Sequence, residues 1–269
     1  MTLLAWLGAL GIGLTLGLLG AGGSILTVPV LVYVVGEAPK AAVAESLAIV
    51  GVIAAIGALP YARKGLVAWT TVLLFGVPGM MGSYVGAVAG KYVSGHIQLI
   101  AFSVLMLFAS LLMMRPPHAA SKAGAASKPV KVKRKAPAQA FVEGMLIGAE
   151  GFGIGVLTGF VGVGGGFLIV PALVLLVGLP MHLAIGTSLA TIALNSMIGF
   201  YKSSQMLPLL QLKANGNIIV AFAVVGVAGS LIGSAICHRL PQQRLRRLFA
   251  WFVLVMGAWL LWRNLSGLL

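Results

Sequence analysis

Residues 18–36, LLGAGGSILTVPVLVYVVG, and residues 160–178, FVGVGGGFLIVPALVLLVG, decide how this chain is built. Extended outward, they align residues 8–57 with 150–199 without a gap, at a constant offset of 142, and about twenty of the fifty positions are identical. The identities include Gly11/Gly153, Gly13/Gly155, Gly17/Gly159, Gly20/Gly162, Gly22/Gly164, Gly23/Gly165, Pro29/Pro171 and Ser46/Ser188. After a five-residue difference in a loop the match resumes, Gly82-Ser83 and Gly86 against Gly229-Ser230 and Gly233. The chain is an internal duplication.

Its solvent is lipid. Of 269 residues, 60% are hydrophobic and 8% charged, and the mean hydropathy is +1.08, outside the range of soluble domains. Continuous apolar runs, near the roughly 20 residues that cross a bilayer as helix, recur along the chain. They lack the alternation of barrel strands, so the fold class expected is an all-α polytopic membrane protein. The apolar pieces are 2–19, 24–36, 41–61, 66–90 and 96–114, then 141–161, 166–178, 183–201, 215–237 and 245–265. That makes two repeats of about four to five membrane segments each. The second piece of each is only 13 residues long, about 20 Å as helix, so each repeat should begin with a Gly-rich broken or re-entrant hairpin. The first run has no basic flank or small-residue cleavage site and is read as retained.

Residues 115–139, RPPHAASKAGAASKPVKVKRKAPAQ, carry seven Lys/Arg and read as a flexible basic linker between a first repeat at 1–114 and a second at 140–269. The net charge of +14 would point to nucleic acid in a soluble protein. Here the charges fall in short loops, where they set topology and meet lipid headgroups, and no nucleic-acid partner is expected. With the linker in the cytoplasm and an odd number of crossings per repeat, Arg63, Lys64, Arg239, Arg244, Arg246 and Arg247 also lie inside. Outside are only Lys40, Lys91, Lys202, Lys213 and Arg263. The expectation is a pair of inverted repeats in a bacterial-type inner membrane, both termini outside the cytoplasm. Inverted repeats with interrupted helices at matching places are a secondary-transporter architecture.

The chemistry-bearing candidates follow from the same breaks. Unwound backbone in lipid is tolerated where it lines a polar cavity, and the short helices after the glycines would aim their N-terminal amides, with the positive end of the helix dipole, into it. Gly22, Gly23 and Ser24, with Gly164, Gly165 and Gly166, are therefore read as an anion site; close helix packing is the plainer reading, favoured for Gly11, Gly13, Gly17 and their partners. One segment further, Ser46, Thr187 and Ser188 offer hydroxyls and Asn195 an amide. A serine bonded to its own helix is the ordinary alternative. Glu45, an acid inside a span, is the candidate to carry a coupling proton; Glu150 sits early in its helix, near the interface. His182 is not on the helix face of Ser188 and the chain has no Asp, so no catalytic residue is assigned and the chain is not read as an enzyme. No cofactor and no metal site is expected, and Cys237, the single cysteine, reads as a small buried apolar residue.

The motif GVGGGFLIVPAL at 162–173, its counterpart GAGGSILTVPVL at 20–31, and GTSLA at 186–190, set in two halves joined by a basic linker, resemble the TauE/SafE sulfite exporter family over nearly the whole chain. The resemblance implies a secondary transporter, most simply an exporter, of sulfite, sulfoacetate, thiosulfate or a similar anion. It also implies that the glycine hairpins and the serine helices form the permeation site. The first half departs from the pattern with Ser24 for Gly166 and Glu45 for Thr187, which implies an asymmetric site. The alternatives are a permease for a small carboxylate or other organic anion, and a non-transporting membrane scaffold. The partners expected are a small anionic substrate and the lipid bilayer, with homo-oligomerisation left open.

Overall fold

A computed structural model describes residues 3–90, 93, 95–114, 137–161, 166–206 and 215–266. They form ten α-helices, with no strand among the described residues. The first half holds α1 (Leu3–Leu19), α2 (Gly22–Val30) continued by a π-helical turn (Leu31–Val35), α3 (Pro39–Arg63), α4 (Trp69–Gly90) and α5 (Gly95–Met114). The second holds α6 (Pro137–Val161), α7 (Gly166–Leu175), α8 (Met181–Met206), α9 (Gly216–Cys237) and α10 (Gln242–Ser266). Residues 115–136 of the basic stretch lie outside the described residues; its last three residues open α6, where a proline suits the first helical position. Ala41–Arg63, Met181–Tyr201, Gly216–Cys237 and Gln242–Trp262 are each long and apolar enough to cross a bilayer.

The second segment of each half is short for the same local reasons. Pro29 in α2 and Pro171 in α7 occupy equivalent places and lack the amide that would bond one turn back. Past Pro29 the helix widens into the π turn. Both segments then stop at a glycine with left-handed backbone, Gly36 at φ +87° and Gly178 at φ +75°. The amides just beyond bond back in matching fashion, Glu37 N to Leu31 O at 3.0 Å and Leu179 N to Leu173 O at 2.9 Å.

Packing is exchanged between the halves. In α1, a Cβ on Gly13 would collide with the carbonyl of Gly226, and one on Gly17 with that of Ser230. In α6, Gly155 and Gly159 meet the carbonyls of Gly79 and Ser83 in the same way. These are the same two contacts written twice: each half's first helix runs parallel to, and in backbone contact with, the fourth helix of the other half. Lipid tails are as apolar as leucine, so such close approach, rather than exclusion of water, holds membrane helices together. Gly11 and Gly153 differ from the packing expectation: both face open space.

Equivalent helices also cross each other. Leu47 of α3 packs on Gly199 of α8 while Leu189 of α8 packs near Gly57 of α3, and Gly51 faces Ser196, so α3 and α8 are antiparallel. In α5 and α10, the Ser110 Oγ donates to Ala250 O at 3.0 Å and Arg246 Nε to Met113 O at 2.8 Å. Gly257 lies against Met106, so this pair is antiparallel too. Ile12, Leu16, Ile49, Ile53, Phe222 and Phe249 fill the interior.

Candidate functional site

The first hairpin turns at Gly20, whose φ of +77° ends α1. From there α2 doubles back along α1: Gly23 is pressed against the carbonyl of Ile12, and Gly8 lies beside Val30. Gly22 packs near Phe252 and Thr15. Gly22 and Gly23 thus let the hairpin close tightly as well as opening α2. Ala21, at the N-cap, contributes no side-chain acceptor, which leaves the first amides of α2 for another partner.

What the two halves share at the centre is the start of their short helices. A Cβ built on Gly166 would lie 2.8 Å from Ser24 Oγ and 3.1 Å from Ile192 Cδ1. Positions 24 and 166 are equivalent in the duplication, and the starts of α2 and α7 meet there. Ser24 is 8% exposed and donates to Ala21 O at 2.8 Å. Gly164 and Gly165 lie outside the described residues.

The other candidates are spread along α3 and α8. Ser188 Oγ donates to Gly20 O at 3.0 Å and to Ile185 O at 2.8 Å, tying α8 to the hairpin tip. Ser46 bonds its own helix at Val43 O, 2.7 Å. Asn195, one turn beyond Ile192 on α8, has a buried Oδ1 without a partner among the described residues.

Glu45 and Thr187, themselves equivalent, make equivalent bonds at helix starts. Glu45 Oε1 accepts from the amide of Asn215, the N-cap of α9, at 2.7 Å. Thr187 Oγ1 accepts from the amide of Ala68, just before α4, at 3.0 Å. Each satisfies an otherwise orphaned donor of the other half. Glu45 is 0% exposed, and its Oε2 has no partner among the described residues. Glu150 is half-buried on α6, its Oε2 also without one.

Sequence reasoning missed a group at the far end of α3. Tyr61 reaches 44 residues back to donate its hydroxyl to Gly17 O at 2.7 Å, and its ring stands 5.0 Å from that of His238, just past α9. Cys237, 0% exposed, lies within reach of that hydroxyl and 3.7 Å from His182 Nδ1. Burial first, then the charge of Lys64 and the proximity of His182, hold the His238 imidazole below its ordinary pKa. The tyrosine gave no signal in the sequence, standing in PYARK at a span end.

The family model for sulfite exporter TauE/SafE matches residues 5–260. The chain belongs to the TauE/SafE family. Two proteins of Xylella fastidiosa called probable membrane transporter protein share its length: one, from strain Temecula1, is 32% identical over 260 residues, covering 96% of this chain and 94% of that protein. The other, from strain 9a5c, is 31% identical over 263 residues, with the same coverage of 96% and 94%. The probable membrane transporter protein YunE of Bacillus subtilis is 27% identical over 268 residues, 92% of this chain and 93% of its own. No solved structure matches the chain. A TauE/SafE chain with apolar spans of bilayer length is a multi-pass membrane transporter, and the exchanged helix pairs and the meeting of the short helices are this member's way of building one.

Proposed function

We propose that this transporter moves a small sulfur-containing anion, sulfite, sulfoacetate, thiosulfate or similar, out of the cytoplasm through a site between α2 and α7. The observation that carries this is the contact of Ser24 with Gly166, because it sets two short-helix starts together in the bundle interior. Each start offers about half a positive charge and unpaired amides, and together they suit one negative charge without a basic side chain. The proposed ligand groups are the backbone at Gly22, Gly23 and Gly164 to Gly166 with Ser24 beside them; Ser188 and Asn195 stand along α8, whereas Ser46 bonds its own helix and Thr187 the start of α4. A negative cytoplasm drives anion export by about 2.3 kcal/mol per charge per 100 mV, so the outward direction requires no co-ion. The free oxygen of Glu45 makes it the group to carry a proton if one is coupled.

The halves are inverted in the inner membrane. Support comes from the antiparallel crossing of equivalent helices, α3 with α8 and α5 with α10, since a two-fold axis that reverses helices lies in the membrane plane. The Lys/Arg excess around the linker and residues 239–247 assigns that side to the cytoplasm. Reporters fused to the N- and C-termini should both read as outside it, and a cytoplasmic C-terminus overturns the orientation.

Proteoliposome flux of labelled sulfite tests the function. Sulfoacetate and thiosulfate should compete, and acetate should compete poorly; no protein-dependent flux, or better competition by acetate, sinks the proposal. In the same assay Glu45→Gln should flatten the dependence of flux on pH, and an unchanged profile removes Glu45 from coupling.

A further inference from the structure

Many of the buried hydroxyls described in this bundle satisfy themselves on their own helix, and others reach a neighbouring element, as Ser110 does at Ala250. Ser24, Thr27, Ser46, Thr158, Thr191 and Ser234 each donate to a carbonyl three or four residues back, the usual solution in lipid. Ser230 does not. It is 0% exposed, and its Oγ has no partner among the described residues. The hydroxyl points across to Gly57 of α3, where the absence of a side chain makes room for it. An unpaired buried hydroxyl is destabilising, so it calls for a guest.

Eight residues on, just past the end of α9, His238 repeats the condition: its Nε2 is buried and has no partner among the described residues. Tyr61 stands between the two. Its ring faces His238 at 5.0 Å, and its hydroxyl is held on Gly17, the residue whose backbone abuts Ser230. Among the described residues, Lys64 and His182 act on His238 electrostatically, and the titratable Tyr61 ring faces it. The equivalents of Tyr61, His182 and His238 in the other half of the duplication are Ser203, Lys40 and Lys91, so this arrangement belongs to one end of the molecule. That end holds Lys64 and Arg239, on the side of the basic loops.

We propose that the seam between α3 and α9 is the cytoplasmic half of the anion's route, with His238 and Ser230 as successive oxyanion-binding groups and Tyr61 as the bar between them. The proposal rests on the anion-transport reading and adds its point of entry. The ligand class is a small oxyanion: the serine O–H donates, the imidazole donates from Nε2 in the tautomer that protonates it, and Lys64 near His238 attracts negative charge. For the anion to pass from His238 to Ser230, Tyr61 must leave Gly17, which also uncovers Cys237.

The test measures sulfite flux in proteoliposomes of known orientation, presenting substrate to one face at a time. Ser230→Ala and His238→Gln should each raise KM at the cytoplasmic face about tenfold or more, the lower end of what one hydrogen bond to a charged group is worth. KM at the outer face should move far less, and Ser230→Thr should restore the wild-type value. A general weakening of the fold would shift both faces. Equal shifts at both faces, or none, overturn the entry route while wild-type flux keeps the transport reading; absence of wild-type flux overturns both. Independently of flux, Tyr61→Phe should alkylate at Cys237, the single cysteine, about tenfold faster with N-ethylmaleimide than the wild type does, because the hydroxyl that pins the bar is gone. An unchanged alkylation rate removes Tyr61 as the bar.

Discussion

Leucine in place of Gly13 should deprive the transporter of a stable fold, while leucine at Gly11, two residues away on the same helix, should leave it intact. At Gly13 the first added carbon already overlaps the carbonyl of Gly226, and backbone cannot rotate aside as a side chain can. The helices must separate, and with them goes the contact of Gly17 with Ser230 one turn on. Overpacking typically costs about 1–3 kcal/mol where side chains can yield, and a backbone clash lies at or beyond the upper end. Lipid offers no compensating hydrophobic drive, since separated helices remain in an apolar solvent. Gly11 has nothing within 4 Å of its added carbon. The duplication supplies a second, independent trial: Gly155→Leu should fail against Gly79, and Gly153→Leu, facing open space, should not. The measurement is the monodisperse fraction in detergent and its thermal midpoint. If Gly13→Leu and Gly155→Leu matched the wild type, the exchanged pairing of α1 with α9 and α4 with α6 would be wrong.

That contrast also marks where sequence reasoning stops. Gly11 and Gly13 are both identical to their partners in the other half, and identity says only that two positions are equivalent, not which way either faces; the helical turn between them does that. Nothing in the structure explains the glycine at 11 and 153. The short second segments were legible because proline and glycine act locally: Pro29 and Pro171 interrupt the helix and Gly36 and Gly178 end it, whatever surrounds them. The exchange of partners was not legible, because an alignment of halves shows which segments correspond without showing which ones touch. Glu45 illustrates the same limit. An acid in an apolar span announces that it has a task, but its bond to the amide of Asn215, 170 residues away, depends on how α3 is laid against the start of α9. Tyr61 and Ser230 were silent for a further reason. A tyrosine at a span end and a serine in a glycine-rich helix are ordinary there, and only the three-dimensional tally of donors and acceptors singles them out.

Flux should fall about a hundredfold in Gly166→Leu while the protein remains folded. The added carbon would lie 2.8 Å from Ser24 Oγ and 3.1 Å from Ile192 Cδ1. Both are side-chain atoms that can yield, unlike the carbonyl facing Gly13, so the bulk displaces the start of α7 without prising apart a helix pair. The effect on an anion is electrostatic. With an effective dielectric of about 20, the half charge of a helix start roughly 4 Å from a monoanion contributes about 2 kcal/mol, and roughly twice that distance halves it. Losing about 1 kcal/mol in this way, together with one amide hydrogen bond to the anion of about 1.5–3 kcal/mol, gives a fall of about a hundredfold at the lower end of that range. Gly166→Ala should fall between. A sharper form uses the equivalence of the two positions. Ser24→Gly combined with Gly166→Ser exchanges the pair between the halves, keeping one hydroxyl and one hydrogen at the contact, and should transport better than Gly166→Ser alone. If Gly166→Leu carried sulfite at the wild-type rate, the anion would have to bind away from the meeting of α2 and α7, and the dipole argument would fail with it.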